Sequence, residues 1–294
     1  MKNQICLIVD SSSSLPRDVI AQYGIGEVSF YYRFGENDYT HEKAGSGIQD
    51  FYLHMEQDPY DLPHTAAPNI EDWDKVLEEW YQKGARDFIL MTIASALSAS
   101  LMSADSAGRM LKERHEDVRI TAFDSMTCAC GLGAFEIAVA QMIEAGWPYE
   151  RIVETAESMT KPGQITSLFT VRDLTYMKAG GRIGGAAAFI GNLVSIKPVC
   201  EFIDGVVHPV RAVPGRRRSL RSMIDTAVSR IDDPEHTIIT MQHALYPEDA
   251  EFMVRHLHDR MGQELPVYVT DLGIVVGTHS GPGAIGIGLA RSMI

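Results

Sequence analysis

The sequence predicts a two-domain α/β protein: an N-terminal parallel sheet flanked by helices, then a C-terminal α/β domain with a mixed sheet. Three observations predict it. Through the first 160 residues, short apolar runs of strand length alternate with amphipathic stretches of helical period, the rhythm of parallel strands joined by crossover helices. After Lys161-Pro162-Gly163 the strands come closer together, and Asp204-Gly205 is a strong hairpin signal. The chain has 294 residues, more than one ordinary domain needs, so domains of 1–160 and 161–294 are expected.

The elements follow in order. Residues 5–9 are an apolar strand ending at Asp10. Asn69 caps a helix that puts Ile70, Trp73, Leu77, Trp80 and Tyr81 on one face, and Gly84 stops it. Residues 88–93 read as a buried strand, and Ser98 caps the helix after it, running to His115. Residues 118–123 form the next strand, ending at Asp124, with a helix from there to Ala145. Pro148 opens a further helix to Thr160. Beyond the boundary, residues 194–202 and 206–213 are the arms of the hairpin. Helices near 217–231 and 247–261 alternate with strands near 237–242 and 266–271, and residues 274–276 read as strand-like.

Composition excludes several classes. Net charge is −13, from 26 basic and 39 acidic side chains, and such a surface repels a phosphate backbone, so no nucleic-acid partner is expected. The four cysteines, Cys6, Cys128, Cys130 and Cys200, have no metal-site spacing and read as reduced thiols of a cytoplasmic protein. No metal and no cofactor is expected. The opening residues lack a signal-peptide pattern. The uncharged stretch 183–196 is too short to span a bilayer, and 272–290 is broken by six glycines and a proline. No integral membrane segment is expected, which leaves room for transient membrane contact only.

Chemistry-bearing residues gather at strand ends. Asp10-Ser11 follows the first strand, Ser95 and Ser98 the strand ending at 93, and Asp124-Ser125 the strand ending at 123. Ligands of open parallel sheets bind at the carboxyl ends of strands. Three converging hydroxyl loops with helix N-terminal amides suit a carboxylate or a phosphate. Each loop alone reads sooner as a helix cap, and only the three together read as a site. Gly180-Gly181-Arg182-Ile183-Gly184-Gly185 is either a phosphate cradle with one fixed cation or a tight turn. Arg211, Arg216, Arg217 and Arg218 fall in a stretch, 205–224, without an acidic residue. That stretch is either a solvated helix start or a docking patch for an acidic or phosphorylated partner. His279-Ser280 sits in a short polar loop that a ligand could approach. Gly281-x-Gly283-x-x-Gly286 formally matches a dinucleotide fingerprint, but too few residues follow it to supply the second strand and acidic ligand. The nucleophile elbow and the Walker A motif are absent.

In this order the loops resemble the DegV family, over nearly the whole chain. The markers are Asp10-Ser11 with Leu15-Pro16, Thr65 before Pro68, Ser95-Ala96-Leu97-Ser98, and Asp124-Ser125. They continue with Gly180-Gly181-Arg182-Ile183, Lys197-Pro198, Asp204-Gly205 and His279-Ser280-Gly281-Pro282-Gly283. The resemblance implies two α/β domains with a long-chain fatty acid bound between them. By it, Thr65 and Ser95 hold the carboxylate directly, and His279 belongs to the supporting network with the Asp10, Ser11, Ser98, Asp124, Ser125 and Ser280 loops. It further implies a non-enzymatic carrier, the binding subunit of a fatty acid kinase whose separate ATP-binding subunit forms the acyl phosphate. Arg182, Arg211, Arg216, Arg217 and Arg218 would then dock that subunit or steady the phosphate. Residues 186–194 are expected to wall the acyl tunnel or to form an ordinary core segment. The sequence departs from the family pattern at Ala66, Ala94, Ala99, Ser100 and Ser280. The alternative is an enzyme or binding protein for a small phosphorylated ligand, built on the glycine-rich loop and the arginines.

Overall fold

The computed structural model describes residues 4–42, 47–189 and 196–294. The N-terminal part runs β1 (Gln4–Asp10), α1 (Arg17–Tyr23), β2 (Gly26–Val28), β3 (Tyr31–Phe34), β4 (Thr40–His41), α2 (Ile48–Gln57) and β5 (Pro63–Ala66). It continues α3 (Ile70–Gln82), β6 (Ala85–Thr92), α4 (Ser100–Arg114), β7 (Arg119–Asp124), α5 (Ala129–Glu144) and α6 (Tyr149–Met159). The sheet has the order β2-β1-β6-β7 and every pairing in it is parallel, as the alternating pattern predicts. A capping box starts α3: Asn69 Oδ1 accepts from the Asp72 amide and the Asp72 carboxylate accepts from the Asn69 amide. Trp73 and Leu77 of that helix are fully buried against the sheet. Helix α4 starts at Ser100, two residues after the serine assigned to cap it, and Ser98 Oγ does accept the Ser100 amide at 3.2 Å.

The small antiparallel sheet β4-β3-β5 breaks the parallel rhythm. Its strands are two to four residues long, too short to show a period of two. It matters because Thr65 stands on β5, paired with Tyr32.

The C-terminal part runs β8 (Thr166–Thr170), α7 (Thr175–Ala179), a 3₁₀ turn (Gly184–Phe189), β9 (Ile196–Ile203), β10 (Val206–Pro214), α8 (Arg216–Val228) and β11 (Thr237–His243). It closes with α9 (Pro247–Met261), β12 (Tyr268–Asp271), α10 (Ile274–Ser280) and β13 (Ile285–Arg291). The sheet order is β10-β9-β8-β13-β11-β12. It is mixed: β11 and β12 are parallel and the other pairs antiparallel. Asp204 and Gly205 both have positive φ, 50° and 77°, the backbone of a tight hairpin turn.

Residues 274–276, which read as a strand, are instead the first turn of α10. Two groups from the other half of the molecule cap it. Glu42 Oε1 accepts the Ile274 amide, and Ser14 Oγ accepts the Gly273 amide at 2.9 Å. Tertiary capping overrides the strand preference of Ile274, Val275 and Val276. The central strand β13 follows. Its Gly286 and Gly288 dilute the strand signal, yet Gly288 is required: a Cβ there would lie 2.2 Å from the Cys130 carbonyl oxygen of α5. Helix α5 lies between the two sheets, touching β1 on one side and β13, β11 and β8 on the other. It is accordingly apolar and buried on nearly every face. Helices α8 and α9 cover the opposite face of the six-stranded sheet.

Candidate functional site

A cavity of about 240 Å³ opens where the two sheets face each other. Its walls come from Ile93 and Leu97 beyond β6, from Cys128, Ala129 and Cys130 at the start of α5, and from Ser167, Phe169 and Gly286 on the six-stranded sheet. Val275 and Val276 of α10 complete it. The lining is overwhelmingly apolar. Its polar members are few: Thr65, Ser98, Ser167, Arg182, His279 and Ser280.

Most of these gather around His279. Its Nε2 lies 2.9 Å from Thr65 Oγ1. Its Nδ1 is buried with no hydrogen-bond partner among the described residues. Burial, then the Arg182 and His64 charges, push the imidazole down to about 4, so the ring is neutral at neutral pH. A neutral ring and a hydroxyl hold two donor hydrogens, and the bond between them uses one. With Nε2 protonated, the ring donates to Thr65 and the threonine hydroxyl keeps its hydrogen for a ligand; with Nδ1 protonated, the spare hydrogen lies on the buried Nδ1 beside Gly180. Gly180 makes room for this ring, since a Cβ there would lie 2.1 Å from Nδ1. Arg182 bridges two loops, with Nε on the Leu97 carbonyl at 3.2 Å and Nη1 on the Gly180 carbonyl. Among the described residues it has no carboxylate partner. Ser280 donates back to the Val276 carbonyl at 3.0 Å.

The other expected residues are placed differently. Ser95 is exposed and outside the cavity lining: its hydroxyl donates to Asp124 Oδ2 and its amide to Asp124 Oδ1 at 3.1 Å. Ser98, three residues on, borders the cavity instead. Asp10 is wholly buried and knits loops together, accepting from the Ile93 amide at 3.1 Å, Ser100 Oγ at 2.8 Å and Ser12. Burial pushes its carboxyl up. Ser11 donates to Glu42 Oε2 at 2.8 Å, and Ser125 bonds the Thr127 backbone. The three strand-end loops thus converge, but their polar groups mostly serve one another.

Of the five arginines, only Arg182 reaches the cavity. Arg211 contacts Ser222 Oγ at 3.4 Å, Arg216 Nε bonds Asp249 at 2.8 Å and Arg217 lies over the Phe252 ring. Arg218 is exposed on α8, on the far face of the sheet. Ala187 and Ala188 of the expected tunnel wall are exposed and do not line the cavity, and residues 190–194 lie outside the described residues.

Two features went unread in the sequence. One is the apolar lining at the start of α5 and on β8 and β9, where alternation is hidden because both sheet faces are covered. The other is Glu42, a buried carboxyl pushed up to about 7 chiefly by burial, which clamps Ser11 and the start of α10. Among the described residues there is no metal-binding cluster and no helix long and apolar enough to cross a membrane.

Comparison with known proteins agrees along the whole chain. A stearic acid-binding protein from Eubacterium ventriosum superposes with a TM-score of 0.89 at 23% identity, covering 99% of both chains. A fatty-acid-binding DegV family protein from Thermus thermophilus gives 0.88 at 22% identity, over 98% of this chain and 99% of its own. DegV of Bacillus subtilis, a fatty acid binding protein, gives 0.83 at 26% identity, over 98% and 99%. A DegV domain-containing protein of Staphylococcus aureus is 28% identical over 285 residues, 97% of this chain and 96% of its own. Residues 4–292 match the family described as "Uncharacterised protein, DegV family". The chain belongs to the DegV family.

Proposed function

We propose that the protein is a carrier that binds one long-chain fatty acid, carboxylate at the Thr65–His279 pair and acyl chain in the apolar cavity. The observation that carries this reading is the cavity's polarity: an apolar interior with its donors concentrated beside one cation, Arg182. A sixteen-carbon chain gains on the order of 10 kcal/mol from burial at about 0.8 kcal/mol per methylene. Each hydroxyl adds about 1 kcal/mol and fixes orientation. Tail burial therefore dominates affinity, and the polar end sets where the carboxylate sits. Related solved structures described as fatty-acid-binding proteins, one of them with stearic acid, support the same class of ligand.

On this reading Ser98 supplies the second hydroxyl and the Ser95–Asp124 contact braces its loop. The exposed Arg182 leaves the carboxylate within reach of a separate ATP-binding kinase subunit, which would form the acyl phosphate. The chain would divide near residue 161 into two domains with the ligand between them.

Native mass spectrometry of the purified protein, followed by denaturing extraction, tests the ligand. A co-purifying or added fatty acid bound one to one is expected, with affinity reduced about fivefold or more in Thr65→Val and in Ser98→Ala. A wild-type protein that takes up neither palmitate nor oleate would sink the carrier reading. Formation of acyl phosphate with an added kinase subunit tests presentation.

A further inference from the structure

Phe202 belongs to two separate spaces. The residue lines the apolar cavity, and it also lines a smaller cleft of about 40 Å³. That cleft is bounded by Met126, Thr127, Lys161, Pro162, Gly163 and Asp204. Lys161, Pro162, Gly163 and Asp204 are exposed, so the cleft reaches the surface. Phe202 is the one residue the two linings share among the described residues. On the cavity side its ring stacks on Phe169, centroids 5.1 Å apart and planes at 26°. The turn that follows it is tied to the loop before α5, because the Gly205 amide donates to the Met126 carbonyl at 3.0 Å. Phe202 therefore stands where the interior and a second opening come together, with its ring stacked on the cavity side and the turn after it tied down.

We propose that Phe202 sets the upper limit of acyl-chain length, as a partition that a longer chain must displace to pass its methyl end into the outer cleft. The proposal rests on the fatty-acid reading of the cavity. Within an apolar space each added methylene raises affinity about fourfold. That gain stops where the chain meets the Phe202 ring. A further methylene must then break the stack with Phe169, so affinity falls with length instead of rising. Replacing the ring with a methyl group joins the two spaces and lets the gain continue.

The test uses the full-length protein, stripped of lipid and exposed to an equimolar mixture of saturated acids from myristic to lignoceric. Native mass spectrometry reads which acid is bound. Wild type is expected to show a sharp upper cut-off. In Phe202→Ala the cut-off moves to longer chains, the first excluded acid gaining about fifteenfold relative to the one two carbons shorter. Phe202→Trp fills the partition and moves the cut-off the other way or leaves it in place. Phe202→Leu, smaller but still space-filling, gives an intermediate shift, and carries the test should Phe202→Ala fail to fold. Length profiles unchanged across the folded Phe202 variants overturn the proposal while leaving the carrier reading intact. A wild type that binds no acid from the mixture removes the carrier reading itself, and this inference with it.

Discussion

His279 is under two constraints that separate substitutions can test. Its ring needs space, which only the absence of a side chain at Gly180 provides. In Gly180→Ala the new methyl would sit 2.1 Å from Nδ1, so the ring must swing away and break its bond to Thr65. Fatty-acid affinity is expected to drop at least tenfold in a competition assay with a fluorescent fatty acid, with the far-UV spectrum unchanged. The ring must also stay neutral. Its folded-state value, near 4 against an ordinary 6.5, means the unfolded chain binds the proton first, so this group makes stability rise as pH climbs from about 4 to 6.5. Glu42 works in the opposite direction. Burial raises its carboxyl from 4.5 to about 7, so its contribution is complete below 4.5 and is lost as pH rises through 7. Glu42→Gln removes that loss. Measured by urea melts at stepped pH, the variant's stability relative to wild type should grow between pH 4.5 and 7, by on the order of 3 kcal/mol. A difference that stays flat over this window would show that Glu42 titrates normally.

At the scale of elements, the caps divide into local and distant ones, and this decides what a sequence can reveal. Helix α3 is started by Asn69 and Asp72, three residues apart. Asn69→Ala should cost about 1 kcal/mol in a denaturant melt, without changing the ligand site. Such a signal is local, and the helix it announces is found where expected. Helix α10 is started by Ser14 and Glu42, more than 200 residues away in the chain. Nothing near Ile274 announces it, so a β-branched run reads as a strand. The site divides in the same way. Thr65 stands on β5 and His279 in the last turn of α10, where the sequence reads a short polar loop, and their 2.9 Å contact spans 214 residues. Ser95 and Ser98 share one loop, and spacing alone cannot tell which faces inward. The Asp124 carboxylate decides it, by capturing the Ser95 amide and hydroxyl. The Asp204-Gly205 hairpin was legible because all its information lies in two residues. The partition at Phe202 was not, because it exists only where two spaces meet.

At the scale of the whole molecule, α5 couples the halves. It packs on β1 of the parallel sheet and on β13, β11 and β8 of the mixed sheet, with almost no exposed side chain. Neither sheet can lose this helix without exposing its own core face. The cost of separating them is the burial of one long apolar helix on two sides, at about 25 cal/mol per Å² of apolar surface. Unfolding should therefore be a single transition. The probes to compare are unequal by position: Trp73, Trp80 and Trp147 all lie in the N-terminal part, whereas far-UV circular dichroism sees every helix and strand. Coincident urea transitions by tryptophan fluorescence and circular dichroism are expected, and a fluorescence change that precedes the loss of ellipticity would mean that α5 leaves the halves independent. Gly288→Ala strains the same joint, because its Cβ would meet a backbone carbonyl, Cys130 O, that has no rotamer to step aside with. It should lower stability by about 1–3 kcal/mol. If α5 is the coupler, both probes must shift together by the same amount. Since Cys130 also borders the cavity, fatty-acid affinity should fall in the same variant, which a change confined to one half would not bring about.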